Sequence, residues 1–538
     1  MRFGEIGIAD AEGAILAHTA RHAGGVFKKG RVLTAADVEA LKAAGVERVF
    51  AARLGNDDVP EDEAAELIAR AIAGEGAEAQ LPFTGRANLH AAAAGVAIVD
   101  AGRVRALNRL DESLTLATVQ PFDTVEARQM LATVKVIPFA VPRPVLDEAL
   151  KLIAEKPLVS LRPFLSHRAG LVITTLPQTK PSLVEKSREA IAERLSALGS
   201  TLGEVIVCDH RTDAIAAGVE RLKSSGHDPI LVFGASAIVD RGDVVPAGLV
   251  AAGGKIVHLG MPVDPGNLLM LGRLDDRAVI GVPSCARSPK VNGFDWVLAR
   301  VLAGIDVRPQ DIMDMGAGGL LVEIPSRPTP REGKGPVVQK APNVAAVVLA
   351  AGKGTRMGAD NKLLKSFQKK PLVRHAVEAA IAAKLDPVVV VTGRDAEAVR
   401  AAVGDLPVRC AQNDRYADGQ ATSLSAGVAA LPKEADAVVV LLGDMPLVSP
   451  AVLGRLVAAF NPVEGRAICV PVHEGRRGNP VLFARRHFAA MQEISGDEGA
   501  RSLIQRHAED VAEVPVGESS IFADVDTPEA LAALEGDR

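Results

Sequence analysis

The chain has 538 residues, 48% hydrophobic and 24% charged, a globular balance that excludes a largely disordered protein. Its 61 basic residues against 66 acidic ones leave a net charge of -5, which gives no reason for nonspecific nucleic-acid or membrane binding. No apolar run approaches the ~18 residues of a membrane span, and the start Met1-Arg2-Phe3-Gly4-Glu5 lacks the basic-then-apolar order of a signal peptide.

A chain of this length holds two to four domains at ~100–200 residues each. The four cysteines (Cys208, Cys285, Cys410, Cys469) are far apart and form no CxxC pair. Their spacing indicates neither a disulfide framework nor a structural zinc, and a soluble cytoplasmic protein is the default. With aromatics at 3%, the core has to be built from Ala, Val, Leu and Ile.

In chain order, residues 1–165 read as a mixed α+β region. Thr34 and Asp37 resemble a capping box opening a helix over Ala35–Ala44, with Gly45 after its end. Glu61–Ala73 reads as a second helix closed by Gly74, and Val96–Val99 as a strand. No site chemistry stands out here, so a structural or dimerising role is expected.

Residues 166–324 change pattern. Leu171–Thr175, Val205–Cys208 and Ile230–Phe233 read as strands. Ser182-x-x-Glu185 reads as a capping box for a helix to about Leu198, and Thr212–Leu222 as another helix. Strands alternating with such helices predict a parallel sheet covered on both faces. Cys285 reads as a packed small residue, Asp240 and Asp243 flanking Arg241 as a solvated cluster, and His210 as a surface polar residue.

Residues 325–343, PSRPTPREGKGPVVQKAPN, hold five prolines, two glycines and five charges, and read as an extended linker. Residues 344–538 then repeat the alternation. Val344–Leu349, Val388–Val391, Val408–Ala411 and Ala437–Leu442 are strand candidates; Pro371–Ala383, Ala396–Val403 and Ser423–Leu431 are helix candidates. The fold class expected is α/β, with two doubly wound, Rossmann-like domains behind the N-terminal region. In such sheets ligands bind at the carboxyl ends of strands.

At the end of the strand closing on Leu349 the sequence reads Ala350-Ala351-Gly352-Lys353-Gly354-Thr355-Arg356-Met357-Gly358, with Lys362 beyond. Small residues let the backbone approach phosphates, and Arg356 and Lys362 add fixed positive charge. It is neither a Walker A loop, which opens a helix with GK[ST], nor a dinucleotide fingerprint, which needs glycine at position 357. Leu441-Leu442-Gly443-Asp444-Met445-Pro446 places a carboxylate just after a central strand, an expensive position unless the group has a task. Facing a phosphate cradle, Asp444 suits Mg²⁺. Asp524-Val525-Asp526-Thr527-Pro528 offers a second ligand in Asp526, which equally suits a helix N-cap.

LAAGKGTRMGADNK, GDMP and DVDTPEAL resemble the MobA-like nucleotidyltransferases that make molybdenum-cofactor dinucleotides, the AAG start leaning toward the cytidylyltransferase branch. The resemblance runs from about Asn343 to Arg538. It includes Asn413-Asp414 with Gly419-Gln420 and Ser423-Leu424, then Arg477-Gly478-Asn479-Pro480, then Gly496-Asp497 with Gly499-Ala500-Arg501. It implies that Leu349, Ala350, Ala351, Gly352, Gly354, Thr355, Lys362, Asn413 and Ser423 contact the nucleotide. Lys362, Arg356 and Asp444 would carry catalysis, and Asp444 with Asp526 would hold Mg²⁺.

FGASAIVDRGDVVPAG, VHLGMPVDPGNLLMLGRL and VIGVPSCARS are each a strand running into a Gly/Pro turn, and together they resemble the molybdopterin-binding domain of the MoaB/Mog-like proteins over about Ala169–Ile305. That resemblance implies a pterin site at Gly234, Ser236, Asp240, Asp243, Pro265, Gly266, Pro283 and Ser284. The family's Gly-Gly-Thr/Ser-Gly turn stands here as Gly234-Ala235-Ser236-Ala237. Alanine would be strained at either replaced glycine if the turn needed a positive φ there.

The two resemblances imply transfer of CMP from CTP to molybdopterin carrying molybdenum, with release of pyrophosphate. The receiving partner would be an apo-molybdoenzyme of the xanthine dehydrogenase type; no nucleic acid or membrane is involved, and homo-oligomer formation stays open. The alternatives are a molybdopterin carrier or insertion protein, or a nucleotidyltransferase using GTP or another phosphate acceptor.

Overall fold

A computed structural model describes residues 1–22, 25–321, 341–352, 361–462, 465–494, 500–525, 527 and 531. Residues 325–340 of the proline-rich stretch, Gly354, Thr355, Arg356 and Asp526 lie outside the described residues.

The stretch 1–165 carries two cores. In the first, strands Arg2–Gly7 and Ile15–Leu16 flank Arg48–Arg53 in an antiparallel sheet. Helix Ala35–Ala43 closes over it, burying Val38 and Leu41 against Ile8, Leu16 and Val49. The Thr34–Asp37 capping box forms in both directions, and Asp37 also binds Arg31. In the second core, helices Glu61–Ile72 and Arg143–Ile153 cover two small sheets, packing Ile68, Ile72 and Leu146 on Leu89, Val134 and Val159.

The next sheet has six strands, ordered Thr201–Asp209, Arg168–Thr175, Ile230–Phe233, Arg277–Val282, Met270–Leu274, Lys255–Leu259. The first four are parallel, as alternation with helices predicts; Met270–Leu274 pairs antiparallel with both of its neighbours, so it alone runs opposite to the rest. The reason is local. Leu274 pairs with Arg277 across a two-residue turn in which Asp275 has φ 51°, and a loop that short can only join antiparallel strands. The expected Ser182–Glu185 capping box is absent. The helix is Pro181–Ala197, with Lys180 as N-cap and Pro181 at its first position. Ser182 therefore lies inside the first turn, and Glu185 pairs with Arg188.

The last sheet has eight strands. Arg409–Gln412, Val388–Thr392, Val344–Ala350 and Ala437–Leu442 are parallel; Val481–Ala484 joins antiparallel, followed by Ile468–His473 and Arg476–Arg477, with Val511–Pro515 pairing Ile468–His473. Alternate residues of the central strand serve two cores. Val344, Ala346, Val348 and Ala350 pack into one and Ala345 and Val347 into the other, which is why the strand is apolar throughout. Helix Gln420–Ala429 starts one turn before the predicted Ser423, directly after Gly419.

Contacts tie the second N-terminal core to the last domain. Lys384 Nζ reaches Glu78 Oε1 at 3.0 Å, and the Arg466 guanidinium lies 5.2 Å from the Phe83 ring centre. Arg128 and Ala341 exchange two hydrogen bonds of 2.7 Å, fixing the chain just before the last domain. Among the described residues, no helix is long and apolar enough to cross a membrane.

Candidate functional site

Parallel strands Val344–Ala350 and Ala437–Leu442 end side by side, with Leu349 opposite Leu442. Their continuations are therefore forced together. Gly443 N–H donates to the Leu349 carbonyl at 3.0 Å, and one residue on stands Asp444. On the other side Asn361 caps the short turn Lys362–Leu364, accepting from Leu363 N–H at 3.0 Å. That turn aims Lys362 at Asp444: Nζ and Oδ2 are 2.5 Å apart, the side chains 15% and 17% exposed. Val525 N–H donates to the Asp444 carbonyl at 3.0 Å, so the Asp524-Val525 segment is laid against the same position. Val525 itself is buried with Phe367 and Leu372, which anchors that segment.

Ala350, Ala351 and Gly352 continue the central strand at this edge. A Cβ at Gly352 would meet no atom within 4 Å, leaving its backbone open on that side. Asn413 and Ser423 are both buried, and Asn413 Nδ2 donates to Ser423 Oγ at 2.9 Å and to Thr422 Oγ1 at 3.0 Å. The Asn413 amide nitrogen is thus spent on these two hydroxyls, while its Oδ1 accepts from Arg415 N–H at 3.0 Å, tying the strand-end loop to the first turn of helix Gln420–Ala429.

Beside this edge opens a cavity of about 710 Å³. Its floor is apolar, with Leu349, Leu424, Val440, Val470 and Phe483; Gln420, Arg477, Asn479, Arg501 and Gln505 supply polar groups. Gly478 forms part of the wall. A Cβ there would lie 2.6 Å from the Ile521 carbonyl, so only glycine allows the two segments to pass. Arg477 is held by Glu513 at 2.8 Å. Arg477 and Arg501 put two guanidiniums beside an apolar floor in a cavity whose walls also carry Gln420, Asn479, Ser502 and Gln505, which suits a flat ring carrying polar edges and an anionic group.

The front sheet has an edge of its own. Ile173 is in register with Phe233, and Phe233 with Val282, so Thr174, Gly234 and Pro283 lie together at the carboxyl end. Neither Gly234, Ala235 nor Ala237 has a positive φ, so the alanines sit in the turn without strain. Gly234 is still required, because a Cβ would lie 2.7 Å from the Ser236 carbonyl. His210 is half-buried, and more than a solvated surface residue. It bridges Thr174 Oγ1 at 2.9 Å and Ser236 Oγ at 2.8 Å, and Thr174 Oγ1 also accepts from Ala235 N–H at 2.7 Å. Sequence gave no sign of this bridge, whose members come from three different strand ends.

Asp240 and Asp243 do not form a solvated cluster with Arg241. Asp243 caps helix Val244–Ala251, accepting from Val244 and Val239 N–H, while Asp240 accepts from Gly242 N–H. Arg287 was also missed. It stacks 4.3 Å over the Phe233 ring and binds Ser187 Oγ, and burial lowers its guanidinium pKa from the ordinary value. Cys285, expected to be packed, is exposed; Asn292 Nδ2 donates to its sulfur at 3.1 Å. Asn292 leads into Gly293, whose N–H binds the Pro265 carbonyl at 2.9 Å, bringing Pro265-Gly266 near the same rim as Pro283-Ser284.

Residues 346–511 match the MobA-like NTP transferase domain, and residues 5–53 match a domain of unknown function (DUF8806). The nicotine blue oxidoreductase of Paenarthrobacter nicotinovorans is 32% identical over 198 residues, covering 36% of this chain and 97% of that protein. The bifunctional protein GlmU of Pelobacter propionicus is 40% identical over 146 residues, covering 27% of this chain and 31% of that protein. The solved structure of Rv0371c from Mycobacterium tuberculosis H37Rv is 29% identical, covering 36% of this chain and 98% of that one, with a TM-score of 0.33.

Proposed function

We propose, from the premise that this chain belongs to the MobA-like NTP transferase domain family through residues 346–511, that it transfers CMP from CTP to the terminal phosphate of molybdopterin carrying molybdenum. The observation that carries this reading is the Lys362–Asp444 pair at the strand ends, next to a cavity with an apolar floor and two arginines.

A phosphate oxygen of the acceptor bonds to the α-phosphorus of CTP. The bond from that phosphorus to the α–β bridging oxygen breaks, and pyrophosphate leaves with the electron pair. The nucleophile is already anionic, so no strong base is required, and the protein's work is positioning and charge neutralisation. Lys362, turned from Asp444 toward the phosphates, neutralises the leaving pyrophosphate. Arg356 would share that task. The open backbone at Gly352, reached through buried Ala350-Ala351, takes the phosphate chain, and Asn413 with Ser423 holds the helix start that borders it. The cavity takes the acceptor, with Arg477 and Arg501 toward its anionic end.

Asp444 fits Mg²⁺: it is a hard oxygen donor at a strand end, and Val525, beside Asp524, is tied to its carbonyl. Asp526 is the proposed second carboxylate. An ion held by Asp444 would supply charge neutralisation at the α-phosphate.

The rim formed by Gly234, Ser236, Pro265, Gly266, Pro283 and Ser284 is the proposed pterin-holding surface of the front domain, with Asp240 and Asp243 shaping the loop behind it. Carrying that surface on the same chain raises the acceptor's effective concentration at the transferase site. The product would pass to an apo-molybdoenzyme of the xanthine dehydrogenase type.

The test is pyrophosphate release by the full chain with Mg²⁺, molybdopterin carrying molybdenum, and either CTP or GTP. Release with CTP alone supports the reading. Release with GTP alone changes the base and keeps the chemistry. Pterin binding without release from either nucleotide replaces the reading with a carrier role.

A further inference from the structure

A second cluster of ligand-type side chains lies in the last domain, apart from the Asp444 edge. His487 ends the short turn Arg485–His487 that follows strand Val481–Ala484. His507 terminates helix Arg501–Arg506, and Asp510 ends the turn Ala508–Asp510 before strand Val511–Pro515. Each of the three offers one ligand atom, and those atoms lie within 4.8 Å of one another. The two imidazole rings are 4.8 Å apart, tilted by 57°.

His487 is the informative member. Its side chain is 4% exposed, and its Nε2 lies 3.1 Å from Asp510 Oδ2. The approach is at ion-pair distance but lacks the alignment of a full hydrogen bond, so this buried ring nitrogen is poorly satisfied. A poorly satisfied nitrogen beside a carboxylate and a second imidazole is what a shared cation would satisfy. Asp510 is itself oriented from behind by Arg486, which binds its other oxygen, an arrangement that holds a ligating carboxylate in place.

Two imidazoles and one carboxylate select the ion. Mg²⁺ and Ca²⁺ take oxygen donors, whereas borderline transition ions of the zinc class take nitrogen with oxygen. Tetrahedral zinc with bonds of about 2.0–2.1 Å needs ligand atoms roughly 3.3 Å apart. The pair at 3.1 Å already meets this, and the remaining ligand atoms lie within 4.8 Å.

We propose that His487, His507 and Asp510 bind a zinc-class divalent ion at a site distinct from that of Asp444. The ion would join the turn after Val481–Ala484 to the end of helix Arg501–Arg506. Arg501, Ser502, Ile504 and Gln505 of that helix line the 710 Å³ cavity, so the site would fix the cavity wall without touching substrate. Cysteine spacing could not reveal it, because it contains none.

The test uses the full chain, stripped with a chelator and kept in excess Mg²⁺. Zn²⁺ is titrated, and Co²⁺ is used as a spectroscopic probe. The wild type and Asp444→Asn should each bind one equivalent of Zn²⁺ and show the visible bands of tetrahedral Co²⁺. His507→Ala, whose side chain is 36% exposed in the native chain and is therefore expected to leave the fold intact, should lose more than about 100-fold in affinity, as should Asp510→Asn. Absence of stoichiometric Zn²⁺ in the wild type, or equal binding by His507→Ala, would overturn the proposal.

Discussion

Lys362 and Asp444, 82 residues apart in sequence, meet at 2.5 Å where two neighbouring parallel strands end. Each charge is mostly shielded from water, so the pair is preassembled. In the proposed reaction a bound nucleotide would exchange the partners of both, with Asp444 facing the cation and Lys362 the phosphates.

This exchange makes the two residues energetically coupled. Lys362→Ala and Asp444→Asn are each expected to lower the rate of pyrophosphate release by about 10²–10³, equivalent to roughly 3–4 kcal/mol for a preorganised electrostatic group. The double variant should fall well short of the product of the two losses, since each single change already leaves the other charge without its counterpart. Single-turnover kinetics on the three variants checks this. Near-normal release by Lys362→Ala would remove the lysine from the mechanism.

Gly478→Ala tests the cavity wall. The added Cβ would face the Ile521 carbonyl at 2.6 Å and the Ile521 side chain at 2.8 Å, so one segment must move. Overpacking of this kind costs about 1–3 kcal/mol. A lower Tm should come with a raised KM for the acceptor, while KM for the nucleotide stays put. An unchanged acceptor KM would place the acceptor elsewhere.

How much of this was legible beforehand depended on the distance over which each feature is encoded. Ile230–Phe233, Ala396–Val403 and Ala437–Leu442 have the bounds that their apolar runs predict, because short buried strands and amphipathic helices are written locally. The Thr34–Asp37 box was readable for the same reason. Ser182–Glu185 misled because Pro181 fixes the first helical position one residue earlier. The antiparallel strands of both large sheets were not read, since alternation alone does not report a two-residue turn. The His210 bridge and the His487–His507–Asp510 cluster each join several distant elements, and no spacing rule covers such groups.

His210 links Thr174 to Ser236, so it fixes the turn proposed to hold the pterin. Replacing it with alanine removes two hydrogen bonds and leaves the Ser236 hydroxyl unoriented. Pterin affinity, measured by calorimetry on the full chain, should drop by about tenfold, the equivalent of one net hydrogen bond of roughly 1.4 kcal/mol. CTP affinity should not change, because the bridge lies on the other sheet. Unaltered pterin binding would detach this edge from the pterin.

His90 gives the second N-terminal core a built-in acid sensitivity. The side chain is 6% exposed on strand Arg86–Ala91, and its Nδ1 is buried without a hydrogen-bond partner. Burial, aided by the positive charge of Arg128, lowers its pKa from 6.5 to about 4. The folded form therefore resists protonation while the unfolded chain accepts it, so stability is full above pH 6.5 and falls as the pH drops from 6.5 toward 4. The loss amounts to on the order of 3 kcal/mol at the lower end of that window. Glu61, on the helix packed against this strand, opposes this: burial pushes its carboxyl up to about 7, so the fold gains stability from it as the pH falls. The His90 share is therefore read as the difference in amide exchange of helix Glu61–Ile72 between the wild type and a His90 variant. His90→Leu removes this titrating group, and its exchange should slow relative to that of the wild type as the pH falls from 6.5 to 4. Parallel slopes in the two proteins would show that other groups, not His90, set the acid response of this core.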